Sequence, residues 1–398
     1  MMRLATVLLC LLLQACSGMF DSLNDSWSRL TESFTEEDNA EPPTELTDID
    51  FEIEPGILWS KRIGAGAGSQ LVNLVATLSR DKIVVADRNG LVVAMNTQTG
   101  DEYWETETDL PVSAGPGIGD GNVVLGTSDA EVVALKLEDG SNLWTSYVSS
   151  EILSVPQIRR GVVVIRTIDG KVTGLSEDSG KLLWTFERPV PSLSLRGASS
   201  PVIIDDLVIC GFANGKVAAL RLKDGKLEWE ASLAFPRGRS ELERMVDIDA
   251  DPIVSEDVIY LANYQAGISA VALQSGDIIW QREGLSSFAG LAADWRYLYV
   301  TNEDSSVWQL DKRNGASLWK QEALLHRHLS GPVIYKSAVV VGDFEGYLHW
   351  LARSDGHQIA RIRVEDEAIS VAPIVNSDDI LFAYTTGGVV AAISVEAR

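Results

Sequence analysis

The chain has 398 residues and a formal charge of −24, from 57 Asp and Glu against 33 Lys and Arg. Phosphate contacts require clustered Lys and Arg, so this balance excludes nucleic acid as a partner. Three cysteines, Cys10, Cys16 and Cys210, in no CxxC or Cys/His spacing, give zinc or dithiol chemistry no framework.

In chain order, the first element is an apolar run from Leu4 to Leu13 behind a single Arg3. It is short for a membrane span and has the length of a signal-peptide core. The run ends in Leu13-Gln14-Ala15-Cys16, which resembles a bacterial lipobox and marks residues 1–15 as a removed leader and Cys16 as the lipid-bearing residue. Ser17 after the cysteine is compatible with transport to the outer membrane, again by resemblance. Residues 17–54 hold twelve Asp or Glu against Arg29 alone, which predicts a solvated, flexible tether over 16–54 and a folded domain over 55–398.

The remainder repeats. Aligned on Gly-x-x-x-Trp, successive blocks end at Trp104, Trp144, Trp184, Trp229, Trp280 and Trp319; a seventh carries Ala360 in that place, and an eighth core stops at the end of the chain. Each block reads apolar run, polar turn, alternating run, Gly-containing turn and a third run holding the Trp, the signature of paired hairpins. A further short strand is marked by Pro116, Pro156, Pro201, Pro252, Pro332 or Pro373, and proline suits the edge strand of a central channel. Four antiparallel strands per 40 to 50 residues predict an all-β, eight-bladed propeller. The orphan GILWSKR at 56–62, with Trp59, supplies the missing strand of the last blade and closes the ring. The tryptophans are expected to pack between blades as a girdle.

Two connections break the period. From Trp to the next proline there are 12 positions at 104–116 and 144–156 and 13 at 319–332, but 17 at 184–201 and 23 at 229–252. Ring closure does not need the extra residues, and loops of this type emerge on one face, so they predict an asymmetric binding patch. The first holds Leu193, Leu195 and Arg196; the second holds Asp247 and Asp249. Alternation places the leucines together, and the aspartates together, on one side of extended segments. Leucines ringed by charge suit an apolar anchor, with a partner strand adding to the extended backbone. Arg196 can alternatively pair with Asp247 or Asp249 and fasten the two loops to each other.

The repeats resemble the PQQ-like repeats of quinoprotein dehydrogenases. More narrowly, the lipobox, the acidic tether and the segments VPSLSLRG, DIDADP, LLHRHLSGPVIY and VGDFEGYLHW resemble the outer-membrane protein assembly factor BamB family. That resemblance implies a non-enzymatic, cofactor-free lipoprotein of the BAM complex, anchored in the outer membrane and facing the periplasm. Its implied partner is a BamA-like protein, bound through POTRA domains, with other BAM lipoproteins reached indirectly and nascent β-barrel proteins as a further contact. By the same resemblance, Leu193, Leu195, Arg196, Asp247 and Asp249 match the positions used for the BamA contact.

Competing chemistry finds little support. A quinoprotein dehydrogenase would want a quinone and calcium site, often beside adjacent cysteines, whereas Cys210 stands alone in a predicted strand and suits a buried apolar role. Asp247, Asp249 and Asp251 open like a calcium loop, but Pro252 stands where the turn glycine belongs and Val258 where the bidentate Glu should be. His326 and His328 would share a strand face without a signalled third ligand, so exposed loop histidines are expected. GAGAGSQ at 64–70 opens no helix and cannot use a helix N-terminus for phosphate. A periplasmic sensor or cell-wall binding propeller is the remaining alternative.

Overall fold

The computed structural model describes residues 41–193, 199–235, 239–240, 244–263 and 267–397. Strands there assemble into eight sheets, antiparallel except that the short strand Asn73–Leu74 adds in parallel to one of them. Blades 1 to 7 span residues 77–107, 112–147, 157–187, 202–232, 253–282, 291–321 and 333–363. Blade 8 joins three strands from 374–397 to Ile53–Arg62, which pairs antiparallel with Val389–Ala397. The all-β, eight-bladed propeller and its closure by the two chain ends are therefore the observed architecture. Pro156, Pro201, Pro252, Pro332 and Pro373 each stand immediately before a first strand, and first strands of successive blades touch around the centre.

A bulge sets the girdle. In each fourth strand one residue is skipped in the ladder just before the Trp position, such as Leu143 before Trp144. The bulge turns the following ring out of the sheet toward the next blade. The seven indoles of Trp59, Trp104, Trp144, Trp184, Trp229, Trp280 and Trp319 each donate from Nε1 to a carbonyl of the neighbouring blade, at 2.6 to 3.1 Å. Each ring lies on a turn glycine of that neighbour: a Cβ on Gly140 would stand 2.5 Å from the Trp104 ring, and Gly140 has φ 72°. Glycine thus answers two demands there, left-handed backbone and close approach.

The exception has a structural reason. The turn that would receive a Trp at position 360 lies between the third and fourth strands of blade 8, where the chain ends replace a turn. The seam is covered differently: Glu52 N–H donates to Ile359 O at 2.9 Å, Thr44 N–H to Leu325 O at 3.0 Å, and Leu46 packs against the core between blades 6 and 7. Arg327, buried with Asp343, also donates to Thr44 O at 3.0 Å. The compact unit thus takes in residues ahead of the first strand and begins at Thr44. Acidic composition concealed a strap whose few apolar side chains face the propeller.

Candidate partner-docking site

Strands alternate in direction, so the turns after first and third strands share one face of the ring. Turns after second strands and the crossings to the next blade share the other. Both long connections lie on this second face. Leu193 is 42% exposed there; Leu195 and Arg196 lie outside the described residues.

Asp247 and Asp249 do not form the solvent-facing rim that alternation along a strand suggests. Residues 245–249 are not in a strand; Asp247 is buried and Asp249 largely so. Ile248 between them explains this. Ile152, Ile248 and Ile369 each stand four residues before a proline and lie over a glycine of the blade just left. A Cβ on Gly126, Gly211 or Gly342 would come within 2.4 to 2.5 Å of the isoleucine. Ile248 thus plugs the loop onto blade 4 and carries its acidic neighbours inward.

Blade 3 departs from this scheme. At the ladder position held elsewhere by Ala86, Gly126, Gly211, Ala262, Thr301, Gly342 and Tyr384 it has Arg166, and the residue four before Pro201 is Gly197. The buried Arg166 donates from Nη1 to Ser199 O at 3.0 Å and Ser199 Oγ at 2.9 Å. Burial pushes its guanidinium below its ordinary value, and the charges of Asp249, Asp251 and Asp247 oppose that shift. The Ser200 N–H donates to the Asp251 carboxylate, and Asn263 Nδ2 donates to Val246 O at 3.2 Å. One buried cation thus sits between the end of the first long loop and the acidic stretch of the second.

The other singled-out residues lie apart from this cluster. His326 and His328 occupy a turn and its exit rather than a strand, and Cys210 is fully buried with its thiol pushed up to about 12 by burial. Among the described residues no three His, Cys, Asp or Glu side chains converge as metal ligands, and no helix is long and apolar enough to cross a membrane. Cys16 lies outside the described residues.

A family model for the outer membrane protein assembly factor BamB matches residues 56–135 and 88–321. A BamB relative from Pseudomonas aeruginosa is 48% identical over 354 residues, 89% of this chain and 93% of the relative. One from Legionella pneumophila is 41% identical over 394 residues, 99% of each chain. The chain belongs to the BamB family. The crystal structure of BamB from Moraxella catarrhalis superposes with TM-score 0.77 at 25% identity, covering 86% of this chain and 100% of that one.

In this BamB-family chain, sequence reading missed three residues of the long-loop face. Phe235 in the second long loop is 65% exposed, and Phe288 in the next crossing is exposed as well, so consecutive loops present Leu193, Phe235 and Phe288. Aromatics in turn-rich connections were the available signal. Arg166 was also visible, as the one charged residue in a repeat column otherwise held by Ala, Gly, Thr and Tyr.

Proposed function

We propose that this protein is a non-enzymatic assembly factor of the outer-membrane β-barrel machinery, and that its long-loop face docks the POTRA domains of a BamA-like partner. Lipidation at Cys16 would hold it at the periplasmic side of the outer membrane, with residues 17–43 as leash. The observation that carries the reading is the asymmetry of the loop face: exposed Leu193 and Phe235 stand on two enlarged crossings organised around buried Arg166. Apolar anchors on a rigid base suit protein docking, where a few well-placed side chains supply most of the affinity. Leu195 and Arg196 follow Leu193 in the sequence of the same long connection and are proposed as further contacts, and Asp247 and Asp249 support the face from beneath rather than touching the partner.

The double variant Leu193→Ala, Arg196→Ala is expected to lose co-purification with the BamA-like partner while its thermal unfolding midpoint stays near wild type. Retained binding would overturn the assignment of the site.

A further inference from the structure

The opposite face is the more regular one, yet two of its first turns are longer than the rest. Blades 1 to 5 and 7 pass from first to second strand in two residues, blade 8 takes five, 376–380, and blade 6 takes three, Asp294, Trp295 and Arg296. The extra length presents Trp295, 76% exposed and the most exposed large apolar side chain among the described residues.

The presentation is rigid. Asp294 Oδ1 accepts from the N–H groups of Arg296 and Tyr297, both at 2.6 Å, and its other oxygen pairs with Arg353 of blade 7. Lys312 Nζ, buried, donates to Asp294 O at 2.7 Å and to Ser255 Oγ of blade 5 at 2.8 Å. Between blades 5 and 6 this leaves a cleft of about 380 Å³ whose lining includes Tyr260, Trp280, Trp295, Arg296, Lys312 and Arg313.

Its charge runs against the chain. Glu256 is the single carboxylate of the lining, against three cations, in a protein of formal charge −24. Arg313 is engaged by Asp311 at 2.6 Å. The Arg296 guanidinium lies 5.9 Å from the Trp295 ring centroid and 5.2 Å from that of Tyr297 and makes no ion pair among the described residues. An uncommitted guanidinium beside an exposed indole offers two complementary contacts, a face for stacking and a fork for a carboxylate.

We propose that this cleft is a second binding site, on the face opposite the docking loops, for an acidic peptide segment carrying an aromatic side chain. The aromatic ring stacks on Trp295 and enters the cleft toward Trp280, and a flanking carboxylate pairs with Arg296. Repulsion from the rest of the acidic surface confines such a segment to this spot, so charge sets specificity and the indole supplies contact area.

The test titrates the full-length mature protein with the acetylated, amidated pentapeptide Glu-Phe-Glu-Tyr-Glu and with its Lys-Phe-Lys-Tyr-Lys counterpart, by calorimetry. Saturable binding of the acidic peptide is expected, about tenfold tighter than the basic one. Trp295→Ala and Arg296→Glu should each weaken it about fivefold or more without moving the unfolding midpoint. The Leu193→Ala, Arg196→Ala variant should bind the peptide as wild type does, which separates this site from partner docking. Equal binding of the two peptides, no saturable binding of either, or undiminished binding by the Trp295 and Arg296 variants would each overturn the proposal.

Discussion

The two faces of the ring obey different rules. On the face of the first and third turns, seven junctions repeat one contact, an indole over a turn glycine with its N–H on a carbonyl. On the other face the crossings from Trp to proline run from 12 to 23 positions, and side chains at matched positions change from isoleucine over glycine to a buried arginine. Repetition on one face closes the ring and relieves the other of that duty. A loop free of closure can then be lengthened to suit a partner.

The largest effect expected from breaking this contrast is Trp184→Ala. The ring is buried, with its N–H 2.8 Å from Leu222 O and its face on Gly225. Its loss should cost about 3–5 kcal/mol, as large aromatic deletions in cores do. At the seam, Ala360→Gly should cost no more than about 1 kcal/mol. Urea unfolding midpoints of the two variants test the division, which fails if they shift by equal amounts.

That junction was legible in the sequence, because Trp and turn glycine recur at fixed offsets, although the bulge that aims the ring was seen only in the ladder. Ala360 was legible as a departure, but its cause was not, since the missing receiving turn exists only in the closed ring. The burial of Asp247 and Asp249 was not legible: alternation assumes a strand, whereas the plug Ile248 fixes which neighbours go inside. The strap at 44–52 was hidden by its acidic composition, in which Leu46 and the backbone bonds at Thr44 and Glu52 carry the docking.

Next in size is Arg166→Met, which addresses the loop face from below. The variant strips Ser199 of its donor and leaves the acidic stretch without its buried cation, at about 2–3 kcal/mol. Partner binding should fall with it, although Arg166 is buried and meets the partner only through the loops it holds. Arg166→Lys keeps the charge and loses the fork, so intermediate binding is expected. Pull-down at a temperature where all three proteins stay folded separates positioning from global stability; full binding by Arg166→Met would show that the loops hold themselves.

The last effect concerns pH and sharpens the contrast by removing one titrating group of the loop face. The Asp249 carboxyl is pushed up to about 7, first by burial and then by the charge of Asp247, against the pull of Arg166. In the unfolded chain it returns to about 4. Between those values the folded protein holds the proton that the unfolded chain has released, so stability falls as pH rises from about 4 to 7 and levels off above. The contribution is on the order of 2 kcal/mol. Glu177, raised to about 7 mainly by burial, acts in the same sense in every variant, so the informative quantity is a difference. Unfolding free energies at pH 5 and pH 8 should separate by less in Asp249→Asn than in wild type, because the amide has no proton to lose. Identical pH dependence in the two proteins would mean that the carboxyl stays ionised throughout, fully compensated by Arg166.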